Sequence, residues 1–339
     1  MRSLFIGMLY TLERSYAMKY LYTVYILLIS CAGFSQITTT KLVENKITTI
    51  SAVPYDSTRN FLEDDVGQYI GQMLFLKGKS ESLRNFGYMD FFKDYQVDDL
   101  YKFSNVYKGN KKDCEYHTPY YAVAERYFKV LSVIKHPKAS SDSYLYGTTY
   151  FFYLEDRDNK DTLYYQYNSK YDLSFLFLVV GFVEKQQKTL PGQKFIFAYD
   201  TLKDSNDIST GNKVTNKPQD IWACTEFIIN EKNFEPTMIV KNSLGETTHI
   251  PYDTVFRIIR KNNGRKAYTL QEANNYSKKF GAKNWDKILD SKVLIGFTEE
   301  MVKLSWGEPE DINHSSYGDQ WVYRGQYLYF ENGKLTAFN

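Results

Sequence analysis

The chain has 339 residues, of which 43% are hydrophobic and 24% charged, and this composition excludes a disordered or collagen-like protein. The length allows two or three domains. The 4 His and 3 Cys argue against a His-rich or Cys-rich metal protein. The unusual number is the aromatic fraction of 17%, which comes from 31 Tyr, 23 Phe and 4 Trp. Any account of the fold has to place these rings.

The first 35 residues have the layout of a secretory signal peptide. Lys19 precedes an apolar run over 21–29, and the small residues Gly33 and Ser35 follow it. The run is too short to cross a bilayer, which needs about 20 apolar residues, and no other segment is apolar for long enough. We therefore predict export, to the periplasm, the outer membrane or the medium, without an integral membrane span.

Two processing routes fit this segment. Met18 is the natural start, which makes 1–17 an over-extended gene start. Cleavage after Ser35 leaves Gln36 first, and the Phe-Ser-Gln junction resembles signal peptides of Bacteroidota. The alternative is a lipobox ending at Cys31, whose lipidation would anchor the chain to a membrane.

Removal of the signal changes the charge balance. The formal charge of +2 becomes zero, because 1–35 holds three basic residues and one acidic residue. Nucleic-acid binding normally needs a basic field that neutralises phosphates, so we predict no nucleic-acid partner.

The remaining cysteines and histidines predict no metal site and no cofactor. Cys114 and Cys224 either form a disulfide in the exported compartment or remain separate buried thiols, and spacing leaves both open. Cys114 and His117 have metal-ligand spacing, but a structural zinc needs four ligands. The other histidines, each isolated in the sequence, are His136, His249 and His314.

Residues 36–62 are Thr-rich and polar and predict a linker. Beyond residue 64 the chain consists of short aromatic and β-branched runs separated by charged or turn residues, too short for amphipathic helices. The run 176–182 predicts a fully buried strand, and no long helix is expected between 120 and 260. The fold class over this region is therefore mainly β.

A faint internal repeat divides the β region into two modules. The segment 70–76 resembles 191–197, and a second pair of segments farther along keeps a nearly constant spacing. We predict one β-module over 64–172 and another over 188–260, whose lengths and meander pattern suggest small barrels of the Src-homology-3-like kind. One continuous β-domain with a chance similarity is the alternative.

The last part of the chain, 265–339, predicts an α+β unit of three helices followed by a three-stranded meander. Thr269 and Glu272 form a capping box at the start of the first helix. Thr298 caps the third helix. Asn332-Gly333 between alternating strands indicates a tight hairpin.

This unit resembles the BamE/SmpA-OmlA type of domain. The shared pattern is Gly, an apolar residue and Thr before a helix, then Gly-x-Pro, a Trp-x-Tyr strand and a Phe-x-Asn-Gly-x-Leu hairpin. The resemblance covers about 290–339 and implies protein binding rather than catalysis, because proteinaceous enzyme inhibitors share this architecture. Phe297 replaces the usual Met, and the whole chain resembles exported proteins of Bacteroidota. The matching residues are Gly296, Phe297, Thr298, Gly307, Pro309, Trp321, Tyr323, Phe330, Asn332, Gly333 and Leu335.

Four residues of this motif region are the candidate binding residues: Trp306, Glu308, Trp321 and Tyr323. One interpretation is structural, with the tryptophans burying area between helix and sheet. The other places these side chains on a surface that faces a partner.

The tyrosine-rich stretch around 144–171 leaves a similar choice. On a strand, Tyr150 and Phe152 would face one way and Phe151 and Tyr153 the other, so both faces are aromatic. Either one face is exposed or covered by a partner, or the tyrosines are core and rim residues of a small β-module.

No catalytic signature is present: the chain lacks a Gly-x-Ser-x-Gly elbow, a phosphate loop, a dinucleotide fingerprint and a His-Glu-x-x-His motif. We therefore name no catalytic residue and predict an exported, non-enzymatic envelope protein that binds a protein or another envelope component. One alternative is a glycan hydrolase whose carboxylate pair meets only in space. The other is a secreted inhibitor of an enzyme.

Overall fold

A computed structural model describes residues 47–109, 117–139, 146–170, 175–256, 264–316 and 318–339. These residues form three antiparallel sheets and a few helices, which confirms the mainly β fold class. The signal peptide with Cys31, the first part of the predicted linker and Cys114 lie outside the described residues. Within the described ranges, no helix is long and apolar enough to cross a membrane.

The first sheet has six strands in the order β2-β5-β4-β3-β1-β6. Its central strands are rich in Tyr, Phe and Val, which suit a pleated, buried surface. At the β4–β5 turn the Asp156 carboxylate accepts hydrogen bonds from the amides of Asp158 and Asn159, at 2.9 and 3.3 Å. Hydrogen bonds within the turn therefore stabilise it. The strands are β1 (Met73–Leu76), β2 (Phe91–Phe92), β3 (Tyr127–Lys135), β4 (Thr149–Asp156), β5 (Thr162–Asn168) and β6 (Phe177–Val179), with short helices α1 (Glu81–Arg84) and α2 (Tyr120–Val123) between them.

The second sheet follows a ten-residue helix, α3 (Val180–Thr189), and has five strands in the order β10-β9-β8-β7-β11. A short helix, α4 (Tyr252–Phe256), comes before the last strand. The strands are β7 (Lys194–Phe197), β8 (Trp222–Ile229), β9 (Pro236–Lys241), β10 (Thr247–Pro251) and β11 (Ala267–Thr269).

The two sheets share one strand order, in which the fifth strand pairs with the first: β6-β1-β3-β4-β5 and β11-β7-β8-β9-β10, with β2 added beside β5. Gly71 and Gly192 enter the first strands with φ of 83° and 88°. Their amides donate to Val130 O and Cys224 O at 2.8 Å each. The register between β3 and β4 shifts directly after Val130, and the register between β8 and β9 shifts directly after Cys224. The segments of the sequence repeat thus occupy equivalent places in the two sheets.

Both faces of β4 are buried within this chain. Phe152 packs in the large hydrophobic core that the first two sheets share. Phe151, on the other face, packs with Phe92, Tyr95 and Ile134 in a smaller cluster. The rings at these positions of β4 therefore belong to the core rather than to an exposed platform.

The predicted linker is part of the fold from residue 47 onwards. The Ile50 amide donates to Val133 O at 2.9 Å, and Leu62 is fully buried in the main core. A Cβ at Gly67 would lie 2.5 Å from Ser51 O, so the segment runs tightly against the 3-10 turn Val66–Tyr69 that precedes β1. Its polar composition did not reveal these contacts, because backbone pairing and a few apolar anchors hold it.

The buried strand predicted over 176–182 is wrong in its second half. The chain is extended only through β6 and then forms α3, where Phe182 and Gln186 are buried one turn apart. The predicted module ends, 172 and 260, also fall short of the fifth strands β6 and β11. A three-residue strand is too short to give a periodic signal.

The C-terminal unit has three helices, as predicted, followed by a sheet of four strands rather than three. The capping box of Thr269 and Glu272 is present, and the Thr298 hydroxyl accepts the Met301 amide at 3.4 Å. The additional strand has the sequence Asp-Ile-Asn-His-Ser, which lacks a regular apolar alternation. The elements are α5 (Leu270–Phe280), α6 (Ala282–Leu289), α7 (Glu299–Trp306), β12 (Asp311–Ser315), β13 (Gly318–Tyr323), β14 (Gln326–Glu331) and β15 (Lys334–Phe338).

The first prediction concerns the two glycines that open the sheets. Gly71→Ala and Gly192→Ala are each expected to lower the free energy of unfolding by about 1 kcal/mol, because a side chain disfavours positive φ even where the surroundings are open. Gly181→Ala is the matched control, since this helical glycine has ordinary φ and its nearest Cβ contact would be 3.5 Å. Urea unfolding measures all three. Clearly different losses for Gly71→Ala and Gly192→Ala would contradict the equivalence, and losses no larger than that of Gly181→Ala would contradict the role of positive φ.

The second prediction concerns His136, whose ring is stacked between Tyr146 and Phe151, with centroids 4.3 and 5.3 Å away. Burial, with a smaller contribution from Lys138, lowers the pKa of His136 to about 4 from 6.5. The unfolded chain therefore binds a proton that the folded chain excludes, and stability is lost as the pH falls through this window. We expect this group to contribute a decrease of roughly 3 kcal/mol in the free energy of unfolding between those two pH values.

The variant His136→Asn keeps an acceptor for the Lys138 amide, which bonds to the ring at 3.0 Å. It is expected to have a shallower pH dependence of unfolding than the wild type. Parallel slopes for the two proteins, measured by urea unfolding over this pH range, would show that His136 does not titrate in this way.

Candidate functional site

A groove of about 910 Å³ lies on the C-terminal unit, beside α7 and the start of β12. We call it the acidic groove. Glu308, a candidate binding residue, lies in it and is exposed. The groove is lined by Arg265, Glu299, Glu300, Lys303, Leu304, Gly307, Glu308, Pro309, Glu310, Asp311 and Ile312.

Two glycines shape the groove. Gly307 ends α7 with φ of 88°, and its carbonyl accepts the Tyr323 hydroxyl at 2.8 Å, which fixes the turn into β12. A Cβ at Gly264 would lie 2.0 Å from Ser305 O, so the backbone that carries Arg265 touches the end of α7. Only glycine permits this approach.

The groove carries five carboxylates and two cations. Both cations already have acidic partners: Lys303 pairs with Glu308 at 2.8 Å, and Arg265 donates to both oxygens of Glu272 at 2.8 Å. Glu272 lies outside the lining, so the charge of Arg265 is matched from elsewhere, and Lys279, also outside the lining, pairs with Glu300. The lining itself keeps three more carboxylates than cations. The groove therefore has a negative field over an apolar floor of Leu304, Pro309 and Ile312.

Trp306, the second candidate binding residue, is half-buried. Its indole N–H donates to Ser291 O at 2.7 Å, and its ring packs edge-on against Tyr323 with centroids 5.5 Å apart. These bonds hold the end of α7 in place. Trp306 is not among the residues that line the groove.

The other two candidates, Trp321 and Tyr323, are core residues, and direct contact with a partner is wrong for both. Trp321 is 1% exposed and Tyr323 is 5% exposed. The Trp321 ring packs against Phe330 with centroids 4.5 Å apart, under the sheet. A Trp-x-Tyr strand places both rings on one face, and here that face is the interior.

The other charged lining residues were not identified from the sequence as site residues. Glu299 and Glu300 lie in the first turn of α7, where carboxylates are favourable in any protein, so their presence alone does not indicate a site. The signal that was missed is a second acidic group, Glu308, Glu310 and Asp311, directly after the same helix. The carboxylates in the first turn of this eight-residue helix and those that follow its end therefore line the same groove.

Asp90 is the strongest chemical feature outside the groove. It has φ of 68°, and burial raises the pKa of its carboxyl, which accepts a hydrogen bond from the Tyr101 hydroxyl at 2.6 Å. The groups that act on it are Tyr101 and His117 rather than a second carboxylate. Among the described residues no second carboxylate acts on Asp90, and the hydrolase alternative stays a prediction.

Cys224 is a free, buried thiol, and burial raises its pKa to about 11. It therefore has little thiolate character. Among the described residues, no group of three or more His, Cys, Asp or Glu side chains could hold a metal ion.

Comparisons of the chain with protein-family models, curated proteins and solved structures found no match.

The third prediction separates core from surface in the candidate set. Trp321→Ala is expected to lower the free energy of unfolding by about 3–5 kcal/mol, because it leaves a large cavity. Glu308→Gln is expected to change it by less than about 1 kcal/mol, since its pair with Lys303 is exposed. Urea unfolding of both variants measures this. A Trp321→Ala protein as stable as the wild type would place this ring at the surface.

Proposed function

We propose that this chain is an exported, non-enzymatic protein of a bacterial envelope that binds another protein through the acidic groove. The observation that carries the proposal is the groove itself, which combines an apolar floor with an excess of carboxylates. Such a surface suits a protein segment that carries both apolar and basic side chains. A phosphate backbone would be repelled from it.

The resemblance of 290–339 to BamE/SmpA-OmlA domains supports a role in protein binding. The order of three helices and a meander agrees with that resemblance, and the extra strand β12 departs from the predicted count. We also propose that the first two sheets are duplicated Src-homology-3-like modules. Their shared strand order and the matching Gly71 and Gly192 turns favour this interpretation.

The position of the aromatic residues favours a binding groove over a sugar platform. Tyr69, Tyr165 and Tyr167 are fully buried in the main core. Exposed rings would be needed to stack on a glycan. An enzyme with a basic surface would be one suitable partner, so the inhibitor alternative falls within this proposal.

The fourth prediction tests the groove by charge reversal. The double variant Glu299→Lys and Glu308→Lys is expected to lose at least about tenfold in affinity for its envelope partner, because two attractive contacts become repulsive. The readout is quantitative capture from envelope extracts by the immobilised mature protein at low and high salt.

The matched control reverses two exposed carboxylates elsewhere, with Glu184→Lys on α3 and Glu231→Lys after β8. It has the same net charge as the test variant and is expected to capture the partner as the wild type does. Equal capture by the test variant and the control would exclude the groove as the binding surface.

A further inference from the structure

Among the residues that the structure describes, one edge of the C-terminal sheet has backbone partners and the other edge has no partner strand. At β15, the Gly296 amide donates to Leu335 O at 2.7 Å, and the Leu335 amide donates to Phe297 O at 2.8 Å. At the opposite edge, β12 pairs with β13 over its full length. Within the described part of the chain, no strand or isolated bridge pairs with the outer side of β12.

The β12 edge is short and carries the charged Asp311, but it lacks three other features that usually protect an edge strand. Its five residues contain no Pro and no Lys, and its register with β13 runs without a bulge. Ile312 is half-buried, and the other four side chains are exposed. The Ile312 amide donates to the Asp311 carboxylate at 2.9 Å, so this backbone group is bonded to a side chain of β12 itself.

The edge is continuous with the acidic groove. Asp311 and Ile312 belong to β12 and also line the groove. An extended segment laid along β12 would therefore place over the groove those of its side chains that lie beside Asp311 and Ile312 and point to that face. The carboxylates of the groove select basic residues at those positions, and the apolar floor accepts their aliphatic stems.

We propose that an extended, basic segment of a partner protein adds to β12 as a fifth strand of the C-terminal sheet. This inference rests on the proposed function and gives its mode of binding: backbone hydrogen bonds along β12 supply affinity, and basic side chains over the groove supply selectivity. A second copy of this chain is a poorer occupant, because its own β12 has no Lys or Arg to place over the acidic groove.

The fifth prediction uses a synthetic peptide of alternating lysine and valine, about eight residues long, which is the length of an ordinary strand. We expect the mature protein to bind it, and we expect the affinity to fall with salt. N-methylation of alternate residues removes the N–H groups from one edge of the peptide. One alternating set of methyl groups is expected to weaken binding roughly tenfold or more, and the other set to have little effect.

The protein variants test the same edge. His314→Pro removes a backbone N–H within β12, and His314→Ala removes the same side chain while keeping the N–H. We expect the proline variant to lose the peptide and the alanine variant to retain it, with urea unfolding as the check on folding. The peptide arm does not depend on the stability of any variant.

The outcomes distinguish this inference from the proposed function. If both N-methylated peptides bind like the parent while Glu299→Lys with Glu308→Lys abolishes capture of the envelope partner, the groove binds a partner but strand addition is wrong. If the charge reversal also leaves partner capture unchanged, the proposed function fails. Failure of the parent peptide to bind, or a protein dimer that His314→Pro dissociates, would overturn the basic segment as the occupant of β12.

Discussion

Buried tyrosine rings are the constraint on which the body of this fold depends, because each ring brings a hydroxyl that needs a hydrogen-bond partner. The Tyr69 hydroxyl donates to Asn60 O at 3.0 Å and accepts the Leu62 amide at 2.8 Å. The Tyr167 hydroxyl donates to Glu63 O at 2.9 Å. These bonds fasten the segment before the first sheet to the core. The same buried tyrosines thus contribute to the high aromatic content and hold the chain in place where it enters the sheet.

The elements that could be predicted from the sequence are those whose signals are local. A capping box at Thr269 and an Asn332-Gly333 turn act within a few residues, and both helix and hairpin are where the sequence placed them. β6 and β11 depend on pairing with β1 and β7 across long connections, and neither strand exceeds three residues. α3 was missed because its apolar residues continue directly from β6 and masked the change of period.

The site was predictable only in part, for a related reason. Glu308 was found because it lies in a recognisable motif, whereas Trp321 and Tyr323 belong to the same motif and serve the core. Whether a motif residue faces inward or outward depends on which face the helices cover, and that is a tertiary property. The groove also draws its charges from Arg265, from α7 and from the turn into β12, which no single window of sequence contains.

The second sheet and the C-terminal unit share one hydrophobic cluster, and this packing determines which elements form the walls of the groove. Ile196 on β7 and Tyr268 on β11 pack in the hydrophobic cluster of the C-terminal helices rather than in the core of the first two sheets. β11 leads directly into α5, and Arg265 lies just before β11. One wall of the groove is therefore positioned by the second sheet and the other by α7. The proposed partner would therefore contact residues that the second sheet and α7 each hold in place.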